Sequence, residues 1–351
     1  MRGKAIARQT AVARIFWKDA KGNPPLHDFL ARTTYREGER PRSEPEYPGD
    51  GEVQGEWVRT TGIFRCPEAG AQAEIELSFR WAADTTVDWS DVQLVPVEPP
   101  PARKVRLAAV HYAPVDGQTN ADKCRLFGPL VEQAAKQQAE LVVLPETLTW
   151  YNAGKPAEEC AEPVPGPSTQ YFGELARQHN LYIVAGLLER DQHKVYNVAV
   201  LLGPDGKLAG KYRKVALPRT EIDGGITPGT EYPVFETRFG KLGMMVCYDG
   251  FFPEVARGLS RNGAEVIAFP VWGCNPLLAA ARACENHTVV VSSTYTDPKS
   301  NWMITGVFDR DGRVLAKAEK QGDVVIARSE EHTSELQSHL NLVCRLLLEK
   351  K

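Results

Sequence analysis

The sequence predicts a layered α/β domain preceded by a small all-β domain. Three observations carry this prediction. Between Val105 and Ala327, apolar runs of strand length alternate with amphipathic stretches of helical period, as in βαβ units whose sheets are covered on both faces. Before Pro96 the only regular pattern is period-two alternation broken by Pro and Gly, which suits short, half-buried strands. The stretch "PVEPPPARK", Pro96 to Lys104, is a stiff proline-rich connector between the two.

In the first part, residues 1–98, the strands are "WVRTTGIF", "AEIELSFRW" and "VDWSDVQLV". Glu56 to Val95, with its Trp-bearing strand, its "CPEAGAQAEIELSF" turn and its closing "W-x-D-V-x-L" strand, resembles the second half of the jelly-roll modules common in carbohydrate-binding proteins. Trp57, Trp81 and Trp89 are read first as sandwich core, since aromatic side chains dominate such cores; stacking on a sugar is the alternative. "REGERPRSEPEYPGDGE" is too charged and too rich in Pro and Gly to pack, and reads as a loop.

The second part, residues 104–328, holds the buried-type strands "VRLAAVH", "ELVVLPE", "LYIVAGLL", "KLGMMVCY", "AEVIAFP" and "TVVVSS". Helical spacing covers Ala121–Ala139, Ser168–His179, Pro253–Arg261 and Pro276–His287. Two hairpins, "VYNVAVLLGPDGKLAGKYRK" and "MITGVFDRDGRVLAKAEK", each turn on an Asp-Gly pair, the strongest short-range hairpin signal. Their similar design suggests two related halves. From residue 329 the stretch "SEEHTSELQSHLNLVCRLLLEKK" breaks with what precedes it. It resembles the translated read-through of a sequencing adapter, so residues 329–351 are expected to be a non-native tail without a functional residue. An amphipathic terminal helix is the competing reading.

Composition narrows the function. The chain has 351 residues and a net charge of −3, which gives no electrostatic case for nucleic acid or an acidic membrane. No apolar run reaches the roughly 18 residues of a spanning helix, and "MRGKAIARQTAVAR" lacks the apolar core of a signal peptide. The seven cysteines, Cys66, Cys124, Cys160, Cys247, Cys274, Cys284 and Cys344, form neither a CxxC pair nor a metal-ligand cluster with histidine. Reduced thiols, no metal, no cofactor and a cytoplasmic location are the expectation. A lost N-terminal export signal stays open, because Met1 need not be the natural start.

Strand ends are where an α/β site is sought. Glu146 closes "LVVLPE", Lys214 follows the first hairpin, and Cys247 ends "KLGMMVC". A thiol nucleophile needs a base to take its proton and a cation to favour the anion. A carboxylate and an ammonium supply both. The same ammonium, with the backbone N–H after the cysteine, could hold an oxyanion. Each residue also has a plain structural reading: Glu146 as a cap, Lys214 as a surface cation beside Lys211 and Arg213, Cys247 as core. His287 is the candidate partner for a Cys-His site, although a structural histidine is preferred there. Asp249 and Glu254 are read as bracing the turn and starting the next helix.

The motifs "LPE", "YRKVALPRTE" and "CYDGFFPEVAR…GAEVIAFP", in that order, resemble the carbon–nitrogen hydrolase (nitrilase) superfamily over Val105 to Ala327. The resemblance implies a four-layer α-β-β-α sandwich and hydrolysis of non-peptide carbon–nitrogen bonds, with release of ammonia. It places Glu146 as general base, Lys214 as oxyanion-stabilising cation and Cys247 as nucleophile, and it puts Glu221 beside the lysine and substrate. Glu285 and Asn286 fall at a family position read as structural. It further implies a homo-oligomer. "CYD" is similar to amidases and carbamoyl-amide hydrolases rather than to nitrile-cleaving members. Branches that bind a substrate carboxylate often carry "RFPE", and here Phe251 replaces that arginine. The substrate is therefore expected to be a neutral or cationic amide or N-carbamoyl amine. Tyr248, Phe251, Trp272, Tyr151 and Trp150 are candidate lining residues. Nitrile hydrolysis by the same triad and a non-catalytic carbohydrate-binding protein are the alternatives.

Overall fold

The computed structural model describes residues 10–28, 36, 38–55, 57–81, 86–98, 104–300, 302–330 and 339–347. Connector residues 99–103 and tail residues 331–338 and 348–351 lie outside the described residues. The chain divides into two compact units, residues 1–103 with 331–351 and residues 104–330. Among the described residues no helix is long and apolar enough to cross a membrane.

The first unit is all-β. Strand β1 (Ala11–Lys18) pairs antiparallel with β4 (Gln72–Phe79). Strands β2 (Gly49–Gln54), β3 (Trp57–Arg65) and β5 (Asp88–Val97) belong to a second sheet. Two features depart from the sequence reading. Residues 49–52, placed above in a loop, open β2. His339–Leu347, placed above in a foreign tail, lies between β3 and β5, antiparallel to both. The sequence "HLNLVCRLL" alternates at period two as well as at helical spacing, and two unpaired strand edges supply partners that an isolated helix lacks. The core of this unit is Ile15, Trp17 and Phe64. Trp17, 2% exposed, donates from Nε1 to Glu46. Trp57 and Trp89 are half-buried, whereas Trp81 is 84% exposed.

The second unit is built from two six-stranded sheets. Strands β6 (Lys104–His111), β7 (Leu141–Val143), β8 (Tyr182–Asp191), β9 (Lys194–Leu202) and β10 (Leu208–Arg213) form the first, with β17 (Asp323–Glu330) on its far edge. Strands β11 (Val234–Thr237), β12 (Gly240–Met244), β13 (Val266–Pro270), β14 (Val289–Ser293), β15 (Gly306–Phe308) and β16 (Val314–Lys317) form the second, in sequence order. In each sheet the three central strands run parallel and the flanking pairs antiparallel. Gly206 and Gly312 take φ of 81° in the two Asp-Gly hairpin turns, a value glycine adopts without steric cost.

Side-chain alternation explains the layers. On β6, Leu107 and Ala109 join the cluster that contains Leu242, Met244 and Ala268 of the second sheet. Ala108 and Val110 join the cluster with Phe127 and Val131 of α1 (Asn120–Lys136) and Phe172 of α3 (Pro167–His179). Strands β8 and β9 divide in the same way between Val184 and Ile183 and between Ala199 and Val198. Both faces of the first sheet are thus covered, which is why its strands read as unbroken apolar runs. Helices α5 (Pro253–Arg261) and α6 (Pro276–Asn286) give Val255, Leu259 and Ala283 to the cluster of the second sheet. The short helices α2 (Ala157–Cys160) and α4 (Arg219–Asp223) lie in connections. The result is the α-β-β-α sandwich.

Candidate active site

Glu146, Lys214 and Cys247 leave their strands within a few residues of a strand end, and the fold brings them together. Glu146 lies just beyond β7, in a turn pressed against β8: a Cβ on Gly186 would fall 2.5 Å from the Glu146 Cα. The Gly186 N–H donates to Pro145 O and the Gly186 carbonyl accepts from Leu148 N. Lys214 directly follows β10. Its N–H donates to Asn197 O at 2.9 Å and its carbonyl accepts from Gly229 N at 2.8 Å. Cys247 opens a single 3-10 turn, Cys247–Phe251. Thr147 and Cys247 have φ of 40° and 45°, the left-handed region that side chains other than glycine rarely occupy. Such positions persist where the surroundings over-determine them, and they gather at active sites.

The Lys214 ammonium is fully buried and sits between two carboxylates, 2.9 Å from Glu146 Oε1 and 2.6 Å from Glu221 Oε1. Asn197 Nδ2 donates to Glu146 Oε1 at 2.7 Å and reaches both Glu221 oxygens at 3.4 Å. The other Glu146 oxygen accepts from the Trp272 N–H at 2.8 Å. The Cys247 thiol donates to the Gly273 carbonyl at 3.5 Å and lies within the electrostatic reach of Glu146 and Lys214.

Burial alone would drive Lys214 toward its neutral form, but Glu146, then Cys247 and Glu221, reverse this and hold it well above the ordinary lysine range. Cys247 is raised as well, in its case toward the neutral form. Burial, reinforced by the Glu146 charge, pushes the thiol up more than Lys214 pulls it down. Burial and the Glu146 charge both favour the neutral form of the thiol. Burial also raises Glu221, against the pull of Lys214.

Asp249 ties the Cys247 turn to the segment that follows Lys214. It is fully buried and accepts at 2.8 Å from each of Val246 N, Ala216 N and Tyr212 Oη. Burial nevertheless pushes its carboxyl up to about 6. From the other side, the buried Arg282 guanidinium donates to the Gly250 and Phe251 carbonyls and pairs with Glu285.

The remaining candidates fall into two groups. Tyr248 stacks at 5.2 Å on both Phe251 and Phe252, and Phe251 reaches Trp302 at 6.1 Å. These rings form an aromatic patch on and beside the thiol's turn, and Trp272 is 53% exposed. Tyr151 packs on Tyr295 at 4.1 Å, while Trp150 donates to Lys155 O. His287 is the exposed left-handed cap of α6, φ 51°, so it does not build a Cys-His pair. Glu254 is exposed in the first turn of α5, and Asn286 donates to Arg282 O. Sequence reasoning missed Asn197, Tyr212 and Tyr295. Asn197 left one signal, a lone amide inside the buried run "VYNVAVLL". Among the described residues no group of three or more His, Cys, Asp or Glu is arranged to hold a metal ion.

Comparison with known proteins agrees with this architecture. Residues 106–334 match the family described as carbon-nitrogen hydrolase. The Xenopus tropicalis omega-amidase NIT2 is 31% identical over 249 residues, covering 64% of this chain and 88% of that protein. A Pyrococcus abyssi nitrilase is 42% identical over 171 residues, 47% of this chain and 65% of that protein. Among solved structures, Saccharomyces cerevisiae Nit3, a member of branch 10 of the nitrilase superfamily, superposes with a TM-score of 0.59 at 26% identity. It covers 65% of this chain and 91% of its own. An amidase from Nesterenkonia sp. shares the fold, with a TM-score of 0.56 at 21% identity over 66% and 92% of the two chains. The chain belongs to the carbon-nitrogen hydrolase family, enzymes that cleave carbon–nitrogen bonds other than peptide bonds.

Proposed function

We propose that the protein hydrolyses a small neutral or cationic amide, or an N-carbamoyl amine, through an acyl-enzyme on Cys247, releasing ammonia. One observation carries this reading: a buried ammonium held by two carboxylates, with the buried Cys247 thiol close enough to feel the charge of Glu146 and Lys214. Glu146 takes the thiol proton as Sγ attacks the amide carbon. The negative charge that develops on the carbonyl oxygen is met by the Lys214 ammonium and the N–H of Tyr248, donors that need no reorganisation in a buried site. Glu146 then returns the proton to the amide nitrogen, the carbon–nitrogen bond breaks, and ammonia leaves a thioester on Cys247. Water attacks the thioester with Glu146 again as base, the carbon–sulfur bond breaks, and the thiol regains its proton. Glu221 holds the far side of the ammonium and lies where a substrate polar group would be oriented.

The relatives named as omega-amidases support amide cleavage. A carboxylate-bearing substrate is disfavoured because Phe251 stands where a guanidinium would offer a bidentate partner, and the nearby Arg282 is committed to backbone carbonyls and Glu285. Tyr248, Phe251 and Trp272 instead offer apolar contact. Ammonia release is measured against primary amides, N-carbamoyl amines and nitriles. Release from the first two classes, lost in Cys247→Ala, is expected. Release that survives in Cys247→Ala overturns the nucleophile. For the first unit, the exposed Trp81 is what supports a sugar contact, and quenching of its fluorescence by soluble polysaccharides, compared with Trp81→Ala, tests that contact. Homo-oligomer formation is read out by the elution volume of the full chain.

A further inference from the structure

We infer that Asn197 is a positioning residue that holds Glu146 as a proton acceptor turned toward Cys247. This rests on the reading of Glu146 as the base. Asn197 lies in β9 and is 2% exposed. Its main-chain oxygen accepts the Lys214 N–H, while its side-chain nitrogen donates to Glu146 at 2.7 Å and reaches Glu221 at 3.4 Å. One neutral residue thus bonds both carboxylates through its side chain and anchors the backbone of the lysine between them. The buried Oδ1 of the same amide has no hydrogen-bond partner among the described residues.

That imbalance is informative. An asparagine kept only for the fold would satisfy both ends, because a buried polar atom without a partner is costly and uncommon. Here the acceptor end is given up so that both donor hydrogens face carboxylates. The reversed amide would set Oδ1 against carboxylate oxygens, which is favourable only if one of them carries a proton. The orientation present therefore suits two carboxylates that both act as acceptors. Two carboxylates share one ammonium, so each destabilises the other's charge. A neutral donor between them relieves this repulsion without adding charge to the cluster. Together, Lys214, Asn197 and the Trp272 N–H direct three donors at Glu146.

The test uses the full chain and iodoacetamide as the probe, with alkylation of Cys247 followed by mass spectrometry from pH 4 to 10 in wild type, Asn197→Ala, Asn197→Asp and Glu146→Gln. Asn197→Ala should move the acid limb of the alkylation profile up by about one to two pH units, the worth of one hydrogen bond to a carboxylate. Its thermal midpoint should stay close to wild type, because the unsatisfied oxygen leaves with the donor. Asn197→Asp covers the case in which the alanine variant does not fold: an ionised third carboxylate should slow alkylation at neutral pH, with recovery on acidification. Profiles of both variants that superimpose on wild type overturn the inference. So does a lowered midpoint with the limb in place, which marks a purely structural residue. If Glu146→Gln alkylates like wild type, the base reading fails and takes the inference with it. If Glu146→Gln is slow while the Asn197 variants match wild type, only the inference falls.

Discussion

Replacing Asp249 by Asn sets two effects on one carboxyl against each other. Three donors converge on it, two backbone N–H groups and the Tyr212 hydroxyl, and donors of that kind favour the charged form. Burial among apolar side chains disfavours it, and burial wins, lifting the carboxyl from 3.8 to about 6. A folded value above the unfolded one means that charging Asp249 costs stability. Its favourable contribution is complete below pH 3.8 and is lost as pH rises through about 6. At about 1.4 kcal/mol per pH unit, the shift is worth roughly 3 kcal/mol. The amide introduced by Asp249→Asn cannot titrate, so the stability of wild type minus that of the variant should fall by about this amount between pH 4 and 7 and be flat outside that window. Urea unfolding of the full chain at half-unit pH steps measures it, with strand amides of residues 104–330 followed by hydrogen exchange. A difference that rises with pH would show that the three donors outweigh burial. Parallel curves would show that the carboxyl is not perturbed.

Other substitutions bear on the chemistry more directly. Cys247→Ala and Cys247→Ser should abolish ammonia release while shifting the unfolding midpoint little, because few buried atoms are lost; a large loss of stability would make the thiol a packing residue. Lys214→Met should lower the rate by at least ~10²–10³, the usual cost of one oxyanion donor. It should also destabilise the fold by roughly 3–5 kcal/mol, since two buried carboxylates lose their counter-ion; a rate within tenfold of wild type refutes its role. EDTA should leave activity intact, and inhibition by it that zinc reverses would replace this mechanism with a metal-dependent one. Deleting residues 339–351 separates β3 from β5 and should lower the melting transition of the first unit while sparing amide hydrolysis; superimposable melting curves would show that the strand contributes nothing.

The candidate triad was legible because Glu146, Lys214 and Cys247 are polar groups at the ends of strongly apolar strands, where periodicity alone directs attention. The parallel strands and the four long helices were legible for a related reason: two-sided burial leaves unbroken apolar runs, and α1, α3, α5 and α6 keep a clear helical spacing. Asn197 was hidden because it lies inside such a run, and its partners are 51 and 24 residues away. The upward shift of the Cys247 thiol was not legible, for a physical reason. Proximity of Lys214 can be argued from motif order, but the burial that outweighs it is a property of the packed site. β1 was missed because "AVARIFWK" adjoins a basic start, and the strand His339–Leu347 because its two partners lie more than 240 residues earlier.

Glu146 and Lys214 hang from one sheet and Cys247 from the other. The gap between the sheets is therefore a reaction coordinate that the hydrophobic core sets. Side chains such as Val143, Leu107, Leu242 and Met244, which never meet substrate, act as the spacers of a caliper whose jaws are Glu146 and Cys247. A change of one or two methylenes there would leave every reacting group present and every hydrogen bond locally possible. It would still alter turnover, since displacements of about 1 Å in a reacting pair can cost on the order of a hundredfold in rate. In this enzyme, core volume and rate should be selected together.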